Sequence, residues 1–187
     1  MPSVRVFISI PVPDPAPLKS VTSGLQEIGG IRIAPDNQMH LTLKFIGDID
    51  SRRIPEISGA VRKAAETEGP FEIVLKEAGA FPKERSARIV WVGAEPAGIL
   101  GRISGNIGAG LGSIPYDKKP FKSHITVGRC RDPLDLSSFL GGFRGKEFLR
   151  FECREILVMK SELSRSGAKH SVLDRIPLGN VHAQYPL

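Results

Sequence analysis

His40-Leu41-Thr42-Leu43-Lys44-Phe45-Ile46-Gly47 opens with strict alternation of polar and apolar side chains and closes on a glycine, the pattern of a strand with one face in a core. On such a strand His40 and Thr42 project together from one face, and Leu41 and Leu43 from the other. The pattern returns as His124-Ile125-Thr126-Val127, inside a second strand-like segment from Ser123 to Cys130. The chain holds only four histidines and four threonines in 187 residues, so two His-x-Thr-x copies with apolar x are hard to attribute to composition. Each strand offers an imidazole beside a hydroxyl.

Outward from these two strands the pattern is mixed. Val4 to Ile10 reads as a strand ended by Pro11 and Pro13, and Asp14 then offers an N-cap with Pro15 at the first helical position. Leu18, Val21, Leu25 and Ile28 recur at helical spacing up to Gly29-Gly30. Ile54, Ile57, Val61 and Ala65 form a second helical stripe, and Ile99, Ile103, Ile107 and Leu111 a third. Phe71 to Leu75, Ala87 to Val92, Cys153 to Lys160 and Lys169 to Ile176 read as strands, and Leu134 to Leu140 as a short helix or turn. Polar stretches at 81–86 and 162–167 read as connections. This order predicts an α+β fold with helices packed on antiparallel sheets.

Composition narrows the function classes. With 41% hydrophobic and 25% charged residues, the chain is long enough to bury about 70% of its unfolded surface in a core of its own, as a single domain over 1–187. No apolar run approaches a membrane span, and no leader-like segment precedes the first strand, so a cytoplasmic protein without a membrane partner is expected. Cys130 and Cys153 lack metal or redox spacing and read as core thiols. Glycines 108, 110 and 112 end a helix rather than open one, which argues against a phosphate loop. The net charge of +6 favours a polyanionic partner. Its clusters are Arg52-Arg53, then Lys83, Arg85 and Arg88, then Lys118, Lys119, Lys122, Arg129 and Arg131.

Two imidazoles facing one another across a groove suit phosphoryl transfer without metal or cofactor: one neutral ring takes a proton from the attacking oxygen, and one protonated ring gives a proton to the departing one. Hydroxyls and a guanidinium can hold the non-bridging oxygens. Which ring does which is left open by two matching motifs.

The sequence resembles the two-histidine (2H) phosphoesterases, and within them the RNA 2′,3′-cyclic phosphodiesterases once called 2′-5′ RNA ligases. The resemblance rests on both motifs and on Arg5-Val6-Phe7-Ile8, Gly79-Ala80-Phe81-Pro82, Val90-Trp91-Val92-Gly93, Gly128-Arg129 and Lys160-Ser161-Glu162-Leu163. It implies two similar α+β lobes related by a pseudo-twofold, with the active groove between them. It also implies hydrolysis of 2′,3′-cyclic phosphate ends of RNA to 2′-phosphomonoesters; a monomer is expected. By that resemblance His40 protonates the leaving 3′ oxygen, His124 deprotonates water, Thr42, Thr126 and Arg129 hold the phosphate, and Phe45 stacks on the base. Arg129 and Phe45 each lie five residues beyond a histidine, so strict alternation sends both to the opposite face and each needs a bulge or a strand end to return. His170 falls where the family leads one to expect an aromatic residue, and it reads, with His182, as a surface residue. A related activity on another cyclic phosphate and a noncatalytic RNA-binding module remain the competing readings, and whether RNA ends are also joined in reverse is left open.

Overall fold

The computed structural model describes residues 3–164 and 167–179. Its strands are β1 (Ser3–Pro11), β2 (Ile31–Ile33), β3 (His40–Asp50), β4 (Phe71–Phe81), β5 (Ala87–Glu95), β6 (His124–Leu134), β7 (Glu147–Cys153), β8 (Glu155–Ser164) and β9 (Gly167–Pro177). Its helices are α1 (Lys19–Ile28), α2 (Ile54–Ala65), α3 (Ala97–Gly110) and the short α4 (Ser137–Gly141). The strands are antiparallel throughout, in the order β7-β4-β5-β6-β3-β1-β8-β9, with β2 paired to β6. The α+β class is therefore as expected. The two small sheets meet where β3 joins β6 at Leu41 and Ile125, so they form one continuous sheet with the two histidine strands at its centre.

Apolar stripes account for the helices. Leu18, Val21 and Leu25 are fully buried, as are Ile57 and Val61 on α2 and Leu100, Ile103 and Ile107 on α3. Ile28 departs from its stripe: it is the last residue of α1, the chain turns away at Gly29 with φ 78°, and the side chain is 46% exposed. The Asp14 carboxylate accepts from the Ala16 N–H at 2.9 Å but is not the N-cap: Pro15 holds that place, just outside a tight turn over Ala16–Leu18, and α1 begins only at Lys19. Both cysteines are free thiols, and burial pushes Cys153 up to about 12.

Strand lengths differ from expectation where the backbone slips. In β4 Glu77 takes φ 58° and the register against β5 shifts between Lys76 and Ala78, so alternation loses its phase after Leu75 although the strand continues to Phe81. Both histidine strands are bulged, and at the same place. Against β1, Ile8 pairs with Lys44 and Ser9 with Thr42, which leaves Leu43 as the extra residue. Against β5, Val90 pairs with Gly128 and Trp91 with Thr126, which leaves Val127. Leu43 and Val127 are both the fourth residue of their His-x-Thr-x motif. Their carbonyls still find donors: the Ser104 hydroxyl of α3 donates to Leu43 O at 2.6 Å, and the Ala34 N–H donates to Val127 O at 2.9 Å.

Candidate active site

His40 and Thr42 from β3 and His124 and Thr126 from β6 line one cavity of about 590 Å³, in the size range of small-ligand sites. The alternation that buries Leu41, Leu43, Ile125 and Val127 in the core turns these four polar side chains into it, each half-buried. The bulge at Val127 then reverses the phase of β6, and Arg129 joins the same lining. Of the bulge and the strand end that the spacing allowed, it is the bulge that delivers the guanidinium.

The two imidazoles are held alike. His40 Nδ1–H donates to the Gln38 carbonyl at 2.6 Å and His124 Nδ1–H to the Lys122 carbonyl at 2.7 Å, each acceptor lying two residues upstream. A carbonyl can only accept, so Nδ1 carries the hydrogen in both rings and Nε2 is left for chemistry. An aromatic ring braces each: Phe7 stands 4.8 Å from His40 and Phe81 meets His124 edge-on at 5.0 Å. Phe81 rests in turn on Trp91 at 5.5 Å, and Trp91 lies so close over Gly79 that a Cβ there would stand 2.3 Å from the indole. The Gln38 side chain reaches across to donate to the Ala168 carbonyl of β9 at 2.6 Å, tying the turn that holds His40 to the far wall.

Burial sets the electrostatics. It lowers His40 to about 4, against the raising effect of the Gln38 carbonyl, with the nearby His170 lowering it further. His124 is lowered as well, by burial first and then by the charges of Lys122 and Arg129. Both rings are thus neutral in the free site at pH 7. No Asp or Glu is among the described residues lining the cavity, which presents Arg32, Arg129 and three imidazoles. The cavity is built for an anion. Within the other basic clusters Arg52 pairs with Asp50, Arg53 with Glu56 and Lys119 with Asp117, all at the surface.

The structure gathers five of the six predicted site residues. Phe45 is the exception: it pairs directly with Phe7, so it shares the histidine face, but it stands 38% exposed beneath the Arg5 guanidinium and outside the cavity lining. His170 corrects the opposite expectation. It is no isolated surface residue but lines the cavity, 5.3 Å from His40 and 4.8 Å from Phe7. His182 lies outside the described residues. Sequence reasoning also missed Arg32 and Gln38: β2 is only three residues long, too short for alternation to register, and Gln38 sits in a turn.

A family model described as "LigT like Phosphoesterase" matches residues 10–91. The chain is similar to the RNA 2′,3′-cyclic phosphodiesterase of Archaeoglobus fulgidus, 27% identical over 88% of this chain and 94% of that one. To the protein of the same name from Aquifex aeolicus it is 30% identical, over 82% and 84% of the two chains. Among solved structures, TT0787 of Thermus thermophilus superposes with a TM-score of 0.78 at 27% identity, over 95% of this chain and all of that one. Escherichia coli LigT, at 20% identity, shares the fold with a TM-score of 0.68 over 96% of this chain and all of that one.

Proposed function

The chain belongs to the LigT-like phosphoesterases of the two-histidine superfamily and is a hydrolase; from that premise we propose that it opens 2′,3′-cyclic phosphate ends of RNA to 2′-phosphomonoesters, with no metal in the reaction. The observation that carries the reading is the matched pair of imidazoles, each with Nδ1 tied to a carbonyl and Nε2 left for a cavity lined by cations.

In this mechanism water attacks phosphorus while His124 Nε2 takes its proton. The bond from phosphorus to the 3′ oxygen breaks, and His40 Nε2 delivers a proton to that oxygen. The 2′ ester is retained, and solvent exchange returns the two rings to their starting states. Thr42, Thr126 and Arg129 donate to the non-bridging oxygens as charge builds there. A donor lowered to about 4 in the free site needs a reason to be protonated, and the substrate supplies it. An anion within a few ångströms of a buried imidazole favours its charged form, so the proton is taken up with the phosphate. A 5′-hydroxyl in place of water gives 2′-5′ joining through the same groups.

We assign the reaction to a single chain acting in the cytoplasm; the described lining residues all come from one chain. The two halves are read as related by a pseudo-twofold. The strand order mirrors about the β3–β6 join, and the motif bulges and the carbonyls holding Nδ1 recur on both sides. Phe45, outside the cavity, is left to stack on a base of the RNA beyond the reacting phosphate.

The test is incubation of purified protein with an oligoribonucleotide ending in a 2′,3′-cyclic phosphate, in excess chelator. Accumulation of the 2′-phosphomonoester is expected. A 3′-phosphomonoester product, or turnover that appears only when a divalent ion is restored, overturns the mechanism.

A further inference from the structure

We propose that Lys122 is a positioning residue that assigns the roles of the two histidines: its ammonium, resting on Phe81 beside His124, keeps that ring as the base and leaves His40 to take up the proton that arrives with the phosphate. The inference deepens the reading of function above and rests on it.

Comparison of the two halves makes the first argument. The rings are held alike, each with Nδ1 on a carbonyl two residues upstream and a phenylalanine against it, so the holding does not tell base from acid. The halves differ in what rests on that phenylalanine. Phe7, beside His40, carries a second imidazole, His170, with 4.8 Å between centroids. Phe81, beside His124, carries the Lys122 ammonium, 4.8 Å from its ring centroid. Burial lowers His170, so that ring is neutral at pH 7, whereas a lysine ammonium is a standing cation.

The charges left when phosphate is bound make the second. Burial lowers His124 first, the Lys122 carbonyl works against it, and the charges of Lys122 and then Arg129 lower it further. Around His124, β6 supplies Arg129, β3 supplies His40 in the same cavity, and the segment before β6 supplies Lys122. The neighbouring β4 presents the uncharged Phe81; on β5 Gly93 stands opposite, and Glu95 beyond it is paired with Lys76. Arg129 lines the cavity, so bound phosphate offsets its charge. Lys122 lies outside the lining, and among the described residues no carboxylate pairs with it, so its charge stays. A like charge nearby disfavours the protonated form of a ring. In the free site His40 is lowered to about 4, so phosphate must raise it most for the roles to hold. It is at His40 that the opposing charge is only that of His170, absent at pH 7.

The test uses the intact protein and follows the ring nitrogens of both histidines by NMR as pH is varied, with and without inorganic phosphate, in wild type, Lys122→Met and Lys122→Arg. The bond that fixes the His124 tautomer uses the Lys122 carbonyl, so a change of side chain leaves it in place. Methionine keeps an unbranched chain against Phe81 without the charge, and arginine keeps a cation on the ring. In wild type, phosphate should raise the titration of His40 more than that of His124. Lys122→Met should move His124 upward and His40 less, and Lys122→Arg should titrate as wild type. With substrate, the acid limb of kcat, which reports the base in the complex, should move to higher pH in Lys122→Met alone. An unmoved His124 in Lys122→Met, an equal move in Lys122→Arg, or phosphate that raises His124 more than His40 in wild type overturns the proposal. A higher KM with an unmoved limb, the mark of a lysine that only binds substrate, overturns it too. The titrations need no turnover: if they come out as expected and wild type fails to open a cyclic phosphate end, the reading of function falls and the relation between Lys122 and His124 stands.

Discussion

At the scale of single residues, everything turns on two Nε2 atoms whose partner nitrogens are held by backbone carbonyls. Replacing His40 or His124 by Ala removes an acid or a base, and kcat should fall by on the order of 10² to 10⁴ with folding intact by circular dichroism. Thr42→Ala and Thr126→Ala each remove one hydrogen bond to a charged oxygen, about 1.5–3 kcal/mol, and should cost less, roughly ten- to a hundredfold. Equal losses at all four positions would contradict the division between proton transfer and phosphate binding. His170 enters through its neighbour. It meets His40 with its ring at 75° and 5.3 Å between centroids, so it cannot relay a proton ring-plane to ring-plane. Its charge, present at acid pH, opposes protonation of His40. His170→Phe keeps a ring against Phe7 and removes that charge. The pKa of His40, followed by NMR of its ring nitrogens, should rise, and the alkaline limb of kcat/KM should move upward with it. An unchanged His40 titration in this variant would remove His170 from the account.

At the scale of elements, the shared bulge is what makes a His-x-Thr-x strand into half of a site. It costs a ladder partner, and at Leu43 the carbonyl is satisfied by the buried Ser104 hydroxyl from α3, 1% exposed. Ser104→Ala leaves that carbonyl buried without this donor and should lower unfolding free energy by about 1–3 kcal/mol in urea titration, with a larger proportional loss of activity than a remote core substitution of equal cost. The strands that carry the motifs were legible because one face of each is core, so Leu41, Leu43, Ile125 and Val127 alternate with polar residues. The bulges were legible only by implication, from the distance between His124 and Arg129. A bulge changes phase without a compositional mark, since Leu43 and Val127 are as apolar as their neighbours. What escaped detection shares that cause or is too short to show a period. β2 is three residues, β7 is an edge strand of half-exposed residues, and Glu77 breaks the rhythm of β4 without being a glycine. His170 was misplaced for a different reason: among the described residues its strand pairs only with β8, and nothing local in Lys169-His170-Ser171 reveals that β9 forms a wall of the cavity.

At the scale of the whole molecule, the site places a charge on stability that pH can read. His40 titrates at about 4 in the native protein and near 6.5 when unfolded, so between these values the unfolded chain binds a proton that the native one refuses. Stability is then highest above pH 6.5 and falls as pH drops toward 4, below which both states are protonated and the loss is complete. For His40 alone the loss is about 3 kcal/mol, at most about 1.4 kcal/mol per pH unit. His124 and His170 are lowered too and add to it with the same sign. The carboxylates whose pKa values are depressed by hydrogen bonds to arginines, Asp50 and Glu56 among them, begin to lose their contribution about one pH unit above their unfolded values of 3.8 and 4.5. The interval from pH 6.5 to about 5.5 therefore belongs to the histidines. Urea unfolding across it should show stability declining with acid, and His40→Asn, which keeps a polar side chain but cannot take up the proton, should flatten the slope. Inorganic phosphate should flatten it as well in wild type, because an anion in the cavity raises the native pKa of His40 toward its unfolded value, in addition to stabilising the fold by binding. The same slope in His40→Asn as in wild type would mean that burial does not hold His40 neutral, and the argument that substrate brings the donor its proton would fail with it.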